Sequence, residues 1–351
     1  MRMLDLFCNV IDNYGDAGFC LRLCRDLTNY GKTVRFFCDN LEVLKTIITE
    51  TDLSNQKLQI QEWPLEDYEP ADTVIEAFSC RPDKHILEKI KTRKIKVIAI
   101  DYLSAEKWIE GCHKKPSFSD GINSFFFFPG FTKQSGGLII EDDFLQKRNN
   151  AEKKSGTGSL RISYFSYLND NFEKFISSCQ KSSRSFEILT FNGLPLHNLN
   201  NILSTDLSPG DSYVQGNIRF IVREMTPQNI YDDILIASDL NLVRGEDSIV
   251  RAMLSGRPFL WQIYPQSEDT HKDKMNALFD RIGEIMPNRD RTTVEKLRQL
   301  NLSYVGYSDF LDVFSFDDFF EEWKRISRIW SDYLISLGSL TKNLIDFIDE
   351  I

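Results

Sequence analysis

Short apolar, β-rich runs alternate with helical patterns twice along this chain, and a polar run at 146–159 separates the two rounds. In the first round strands are expected at 3–11, 33–38, 57–61, 72–77, 95–100 and 123–128, with helical spacing near 17–30, 41–50 and 82–91. In the second round strands are expected at 160–166, 185–191, 218–222, 239–243 and 258–263. Helices follow at 169–181, 195–203, 226–237, 248–255, 270–284 and 292–300. Such alternation builds parallel βαβ units, because a strand that pairs in parallel must be reached through a crossover. The run from Gln146 to Ser159 is charged and rich in Gly and Ser, the composition of a linker. Residues 204–217, with Pro209-Gly210, read as a polar loop, and Gly136-Gly137 as a flexible one. The tail 315–351 places Phe316, Phe319, Phe320, Trp323, Leu344, Phe347 and Ile348 at helical spacing. The expected architecture is α/β, with two facing Rossmann-like domains, a cleft between them and long C-terminal helices. The domains are expected at 1–150 and 156–332, with a helix at 333–351 packing back on the first.

Bulk composition removes several function classes. The 351 residues, 42% of them hydrophobic, suffice for two cores. A net charge of -10 argues against general nucleic-acid binding, which needs a basic surface. The seven Cys are scattered, without paired CxxC motifs, so structural zinc is not expected and they read as reduced, mostly buried thiols. Asp5 and Asp12 interrupt the N-terminal apolar segment, and no apolar run reaches membrane-span length. A cytoplasmic protein is expected.

Four segments could carry chemistry. Asp12-Asn13-Tyr14-Gly15-Asp16-Ala17-Gly18 follows an apolar run and reads as strand, glycine turn and helix start, with two carboxylates four residues apart. Open α/β sheets build their sites at such strand ends. Asp16 also fits a plain helix cap and Asp12 a solvated turn residue, so both readings stand. The GxGxxG dinucleotide fingerprint is absent, which disfavours an NAD oxidoreductase. Asp239 to Ser248 again reads as strand, glycine turn and helix N-terminus, with Arg244, Gly245, Glu246 and Asp247 in the turn. A helix start beside an arginine suits a phosphate, although a cap with a surface Arg–Glu pair uses the same residues. Tyr264-Pro265-Gln266 ends a further strand with a phenol and an amide at the sheet edge. Tyr164-Phe165-Ser166-Tyr167 fits either a nucleotide pocket or the core. The four His form no metal-like set.

Together these stretches resemble the bacterial protein-arginine rhamnosyltransferases that act on translation elongation factor P. Further matching stretches are Ile75-Glu76-Ala77-Phe78 with Cys80, Tyr102-Leu103-Ser104-Ala105-Glu106, Glu110-Gly111-Cys112-His113, Phe128-Pro129-Gly130-Phe131-Thr132 with Gly136-Gly137-Leu138, and Tyr231-Asp232. The resemblance implies a GT-B glycosyltransferase, with the donor in the C-terminal domain and the acceptor protein on the N-terminal one. It implies dTDP-β-L-rhamnose as donor, an arginine of elongation factor P as acceptor, and inversion at the anomeric carbon. Asp12, Asp16 and Glu246 match the family's essential carboxylates. Phe165, Tyr167, Gln228, Arg244, Asp247, Ser248 and Tyr264 match its nucleotide-sugar contacts. Where the family commonly has a Phe against thymine, this chain has Met225.

That chemistry gives the residues reasons. A guanidinium is a poor nucleophile, and carboxylates can orient it and take its proton. A departing diphosphate needs positive charge, which Arg244 and a helix N-terminus supply without a metal. Glu246 would then serve the sugar, by orienting a hydroxyl or stabilising an oxocarbenium-like state. Alternatives are a GT-B transferase with another donor or acceptor, and a non-catalytic nucleotide-binding module.

Overall fold

The computed structural model describes residues 3–11, 13–63, 67–117, 121–151, 158–263 and 270–351. It divides into two compact units, Met1–Glu141 with Leu334–Ile351, and Asp142–Tyr333.

The first unit runs β1 (Met3–Cys8), α1 (Asn13–Asn29), β2 (Thr33–Cys38), α2 (Leu41–Lys45), α3 (Glu50–Ser54), β3 (Leu58–Glu62) and β4 (Thr73–Ala77). It continues through α4 (Lys84–Thr92), β5 (Lys96–Ile100), α5 (Trp108–Cys112), β6 (Pro116–Ser117) and β7 (Ser124–Phe127). The sheet order is β3-β2-β1-β4-β5-β7-β6, parallel except for the short edge strand β6. Strands buried on both faces read as continuous apolar runs, and β4 is buried at every position. One face of the sheet packs against α1 through Leu6, Cys8, Ala17, Cys20, Leu21, Cys24, Val34 and Phe36. Leu340, Leu344, Phe347 and Ile348 of the C-terminal helix join the same core. Phe347 meets Phe125 edge to face at 5.6 Å. The opposite face packs Phe7, Phe37, Tyr68, Val74 and Ile86.

The second unit runs α6 (Asp142–Ala151), β8 (Leu160–Tyr164), α7 (Asn171–Lys181), β9 (Phe186–Phe191), α8 (Leu194–Leu203), β10 (Ser212–Gln215) and β11 (Ile218–Arg223). Then come α9 (Gln228–Ala237), β12 (Leu240–Arg244), α10 (Glu246–Leu254), β13 (Phe259–Gln262), α11 (Thr270–Ile285), α12 (Arg291–Tyr304), α13 (Phe310–Val313) and α14 (Phe316–Ser336). The last helix, α15 (Leu340–Glu350), returns to the first unit. The sheet order is β10-β11-β9-β8-β12-β13, again parallel except for one edge strand.

Five local expectations change. Residues 146–151 are not linker: they complete α6, whose Phe144 and Arg148 are buried, and 152–157 lie outside the described residues. Residues 212–215 are strand rather than loop, because Gly216-Asn217 closes a two-residue hairpin with Gly216 at φ +60°. Gly15 and Gly18 are not turn residues, since α1 starts at Asn13 and both lie within it. Gly136-Gly137 is a packed segment: a Cβ on Gly136 would come within 2.5 Å of the Phe127 ring. The tail divides into separate helices as expected, but the break falls at Gly338, whose φ is +84°, so the last helix starts at Leu340 rather than at 333.

Each unit reverses its strand order once, between β1 and β4 in the first and between β8 and β12 in the second. That reversal opens a crevice at the C-terminal sheet edge, the usual ligand position in open α/β sheets. Among the described residues, no helix is long and apolar enough to cross a membrane.

All seven thiols are free and six are buried. In the first unit His113 is half-buried, and its Nδ1 accepts the backbone N–H of Phe128 at 3.1 Å. Burial, with Lys114 adding to it, lowers its pKa from 6.5 to about 4. The unfolded chain therefore gains a proton near pH 6.5 that the folded chain refuses until about pH 4, and stability falls as pH drops through that window. After allowance for the solvent-exposed part of the ring, the loss should be about 1–2 kcal/mol. Melting curves of wild type and His113→Gln between these pH values should show the variant with the shallower acid-side decline; equal slopes would remove His113 as a source.

Candidate functional site

The crevice of the first unit carries carboxylates. Asp16 lies in the first turn of α1 and is only 2% exposed. Its Oδ2 accepts the backbone N–H of Ile11 at 2.9 Å, so the carboxylate reaches back and fixes the exit of β1. The plain N-cap expected of Asp16 is thus replaced by a reach-back from inside the helix. Asp12 lies outside the described residues. The same sheet edge gathers Asp39 directly after β2, Glu76 near the end of β4 and Asp101 directly after β5. Asp39 Oδ1 accepts the Val10 N–H at 2.9 Å, while Glu76 pairs with Arg81 at 3.2 Å. A mouth lined this way suits a cation and repels a phosphate.

Across the crevice, β4 ends in two left-handed residues, Phe78 at φ +56° and Ser79 at φ +58°. For a bulky Phe this conformation is a genuine outlier, costing on the order of 1–3 kcal/mol. It is held by the Phe78 N–H on Ile100 O at 2.7 Å and by stacking on Tyr102 at 4.5 Å. Backbone strain of this kind clusters at functional sites. The sequence offers no glycine there as a signal.

Thiols beside Asp16 stay protonated. Burial raises Cys20 to about 11, with the Asp16 charge adding to the effect. Cys8 is pushed up by its contact with Cys20, and again by Asp16. Neither supplies a thiolate at neutral pH.

In the second unit the crevice carries an arginine clasped by aromatics. Arg244, the last residue of β12, places its guanidinium carbon 4.4 Å from the Phe165 ring centre and 4.7 Å from that of Tyr167. Alternation along the strand settles the four-residue aromatic run. Tyr164 is fully buried, stacked on Phe172, and Ser166 is also buried, while Phe165 and Tyr167 emerge half-buried beside Arg244. Phe165 is backed by Tyr231 at 5.2 Å and Phe191 at 5.8 Å. Gly245 follows at φ +63°, a value that favours glycine, and no side chain caps the helix after it. The first turn of α10 thus lies at the positive end of the helix with no side-chain cap from the residue before it. Ser248 Oγ turns inward onto the Arg244 carbonyl, and Trp261 Nε1 donates to Gly245 O at 2.9 Å, bracing the turn. Gln228, the first residue of α9, donates through Nε2 to Asp247 Oδ2 at 3.3 Å. Met225 is 47% exposed in the loop just before. Tyr264 lies outside the described residues.

Two contributors had no sequence signal because their partners are distant in the chain. Gln262 Oε1 accepts the Tyr167 N–H at 2.8 Å and the Ser166 hydroxyl, while its Nε2 donates to Leu168 O at 2.9 Å. It thereby fixes the segment that presents Tyr167. Lys274 of α11 pairs with Glu246 at 3.5 Å, which offsets the carboxylate's repulsion of a diphosphate. Among the described residues, no group of three or more His, Cys, Asp or Glu is arranged to hold a metal ion.

Comparison with known proteins bears on this arrangement. The family model described as Elongation-Factor P (EF-P) rhamnosyltransferase EarP matches residues 4–349. A protein-arginine rhamnosyltransferase of Pseudomonas aeruginosa is 32% identical over 375 residues, covering 99% of each chain. A solved structure giving the basis of EarP-mediated arginine glycosylation of EF-P aligns with a TM-score of 0.66 at 20% identity, over 100% of this chain and 99% of that one. MurG of Acinetobacter baumannii aligns at a TM-score of 0.56 and 11% identity, over 99% of each chain. The fold is that of the GT-B glycosyltransferases, with two parallel-sheet α/β units.

Proposed function

We propose, from the premise that this chain belongs to the EarP family of elongation factor P rhamnosyltransferases, that it transfers L-rhamnose from dTDP-β-L-rhamnose to an arginine of that factor in the cytoplasm. The observation that carries the donor half is Arg244, clasped by Phe165 and Tyr167 at the start of α10. Its guanidinium and the helix N–H groups bind the diphosphate and stabilise the charge that develops as dTDP leaves. No metal is needed for that step, because the positive charge is already in place. Phe165, Tyr167, Met225, Gln228 and Tyr264 serve the nucleoside, with Asp247 and Ser248 at the helix start.

The acceptor half belongs to the first unit. Asp12 orients the arginine, and Asp16 accepts the proton that the attacking nitrogen loses. The bond from the anomeric carbon to nitrogen forms as the bond to the diphosphate oxygen breaks. The electron pair leaves with dTDP, and a single displacement inverts the anomeric centre from β to α. Glu246, set beside the leaving group by Lys274, meets the sugar ring.

The test is the intact mass of purified elongation factor P after incubation with this protein and dTDP-rhamnose. A gain of one deoxyhexose, localised to an arginine, is expected. No gain with dTDP-rhamnose, alongside transfer from a UDP- or GDP-sugar, would overturn the donor assignment.

A further inference from the structure

The two helices that present the donor site are parallel neighbours. Each lies between strands that run the same way in the sheet, α9 before β12 and α10 after it. At their N-termini Gln228 and Asp247 form one cross-link, at 3.3 Å. Four residues further along each helix, one turn down on the same face, stand Asp232 and Arg251. These two form a second cross-link, Arg251 Nε to Asp232 Oδ1 at 3.2 Å and Nη2 to Oδ2 at 3.0 Å. The pair is sealed from water, with Arg251 0% and Asp232 6% exposed. The Arg251 guanidinium carbon sits over Phe144 of α6, 3.9 Å from the ring centre. The far end of α10 is tied separately, by the Ser331 hydroxyl on Leu254 O at 2.8 Å and Trp330 Nε1 on Met253 Sδ at 3.1 Å.

A buried ion pair is a poor device for stability, because desolvation offsets most of its attraction and an apolar pair of similar size often does as well. What a bidentate pair does supply is geometry, since the planar fork admits one orientation and one spacing. One turn above it, the same two helices must hold Gln228 and the α10 N–H groups in register with each other, beside Arg244 at the end of β12, for a single ligand. We propose that Asp232 and Arg251, seated on Phe144, are positioning residues for nucleotide-sugar binding, fixing the axial offset of α9 against α10. The inference rests on the donor-site reading above. Neither residue touches the ligand, and both act through the Gln228–Asp247 cross-link.

The test compares stability with affinity. In Asp232→Leu/Arg251→Met the apolar pair replaces the ionic one, so the melting temperature should stay near wild type. Its dTDP affinity, by calorimetry, should fall about tenfold or more, because small misplacements of binding groups are costly. Adding Gln228→Ala to the double variant should lose little more, whereas Gln228→Ala alone should weaken binding; the two effects are coupled if one acts through the other. Wild-type affinity in the double variant, or full additivity with Gln228→Ala, overturns the proposal. If the double variant does not fold, Arg251→Lys replaces it, keeping the charge but not the fork. Weaker dTDP binding at an unchanged melting temperature then supports the proposal, and unchanged binding overturns it. Arg244→Ala is run alongside: if it binds dTDP like wild type, the donor-site reading itself fails, independently of the helix offset.

Discussion

Replacing Asp16 by Asn should abolish sugar transfer to elongation factor P while leaving the protein folded. The amide is isosteric, and its carbonyl oxygen can keep the Ile11 N–H that Asp16 Oδ2 holds at 2.9 Å. What it loses is the charge and the capacity to take a proton. General-base catalysis contributes about 10²–10⁴ in rate, and the lost charge on a cationic acceptor should place this variant at the upper end. The measurement is the time course of the deoxyhexose mass gain, with a melting curve as the control for folding. Turnover within a fewfold of wild type would remove Asp16 as the base. Its burial, at 2% exposure, makes its charge count for more, since water screens it little.

Arg244→Ala should weaken dTDP binding about thirtyfold, on the order of 2 kcal/mol for a charge-assisted contact to phosphate. Arg244→Lys should fall between, because an ammonium keeps the charge but cannot lie flat between Phe165 at 4.4 Å and Tyr167 at 4.7 Å. Calorimetry on the three proteins reads this directly. Unchanged affinity in the alanine variant would take Arg244 out of the donor site and leave its aromatic clasp as packing.

The sequence made both crevices legible for a local reason. An apolar run that stops at a short polar segment and resumes with helical spacing marks a strand end, and both Asp16 and Arg244 sit at such stops. Their roles were legible only through resemblance, because a carboxylate at a helix start caps or catalyses with the same neighbours. The rest depended on contacts that close far along the chain. Lys274 of α11 reaches back past β13 to Glu246, and Gln262 holds the Tyr167 N–H, 95 residues earlier. The edge strand β10 was hidden because such a strand pairs on one side only and needs few apolar residues. The outlier at Phe78 has no compositional mark, since only the surrounding packing forces a phenylalanine into that conformation.

The first unit is discontinuous in sequence, whereas the second is a single stretch from Asp142 to Tyr333. A ribosome making this chain releases the whole of the later unit before it supplies Leu340, Leu344, Phe347 and Ile348, which complete the core of the earlier one. The half that is synthesised first is therefore the half that is finished last. During that interval Phe125 and Phe127 wait for Phe347, and a chain deprived of α15 would lose part of the core beneath the acid-lined crevice while the Asp142–Tyr333 unit keeps its own.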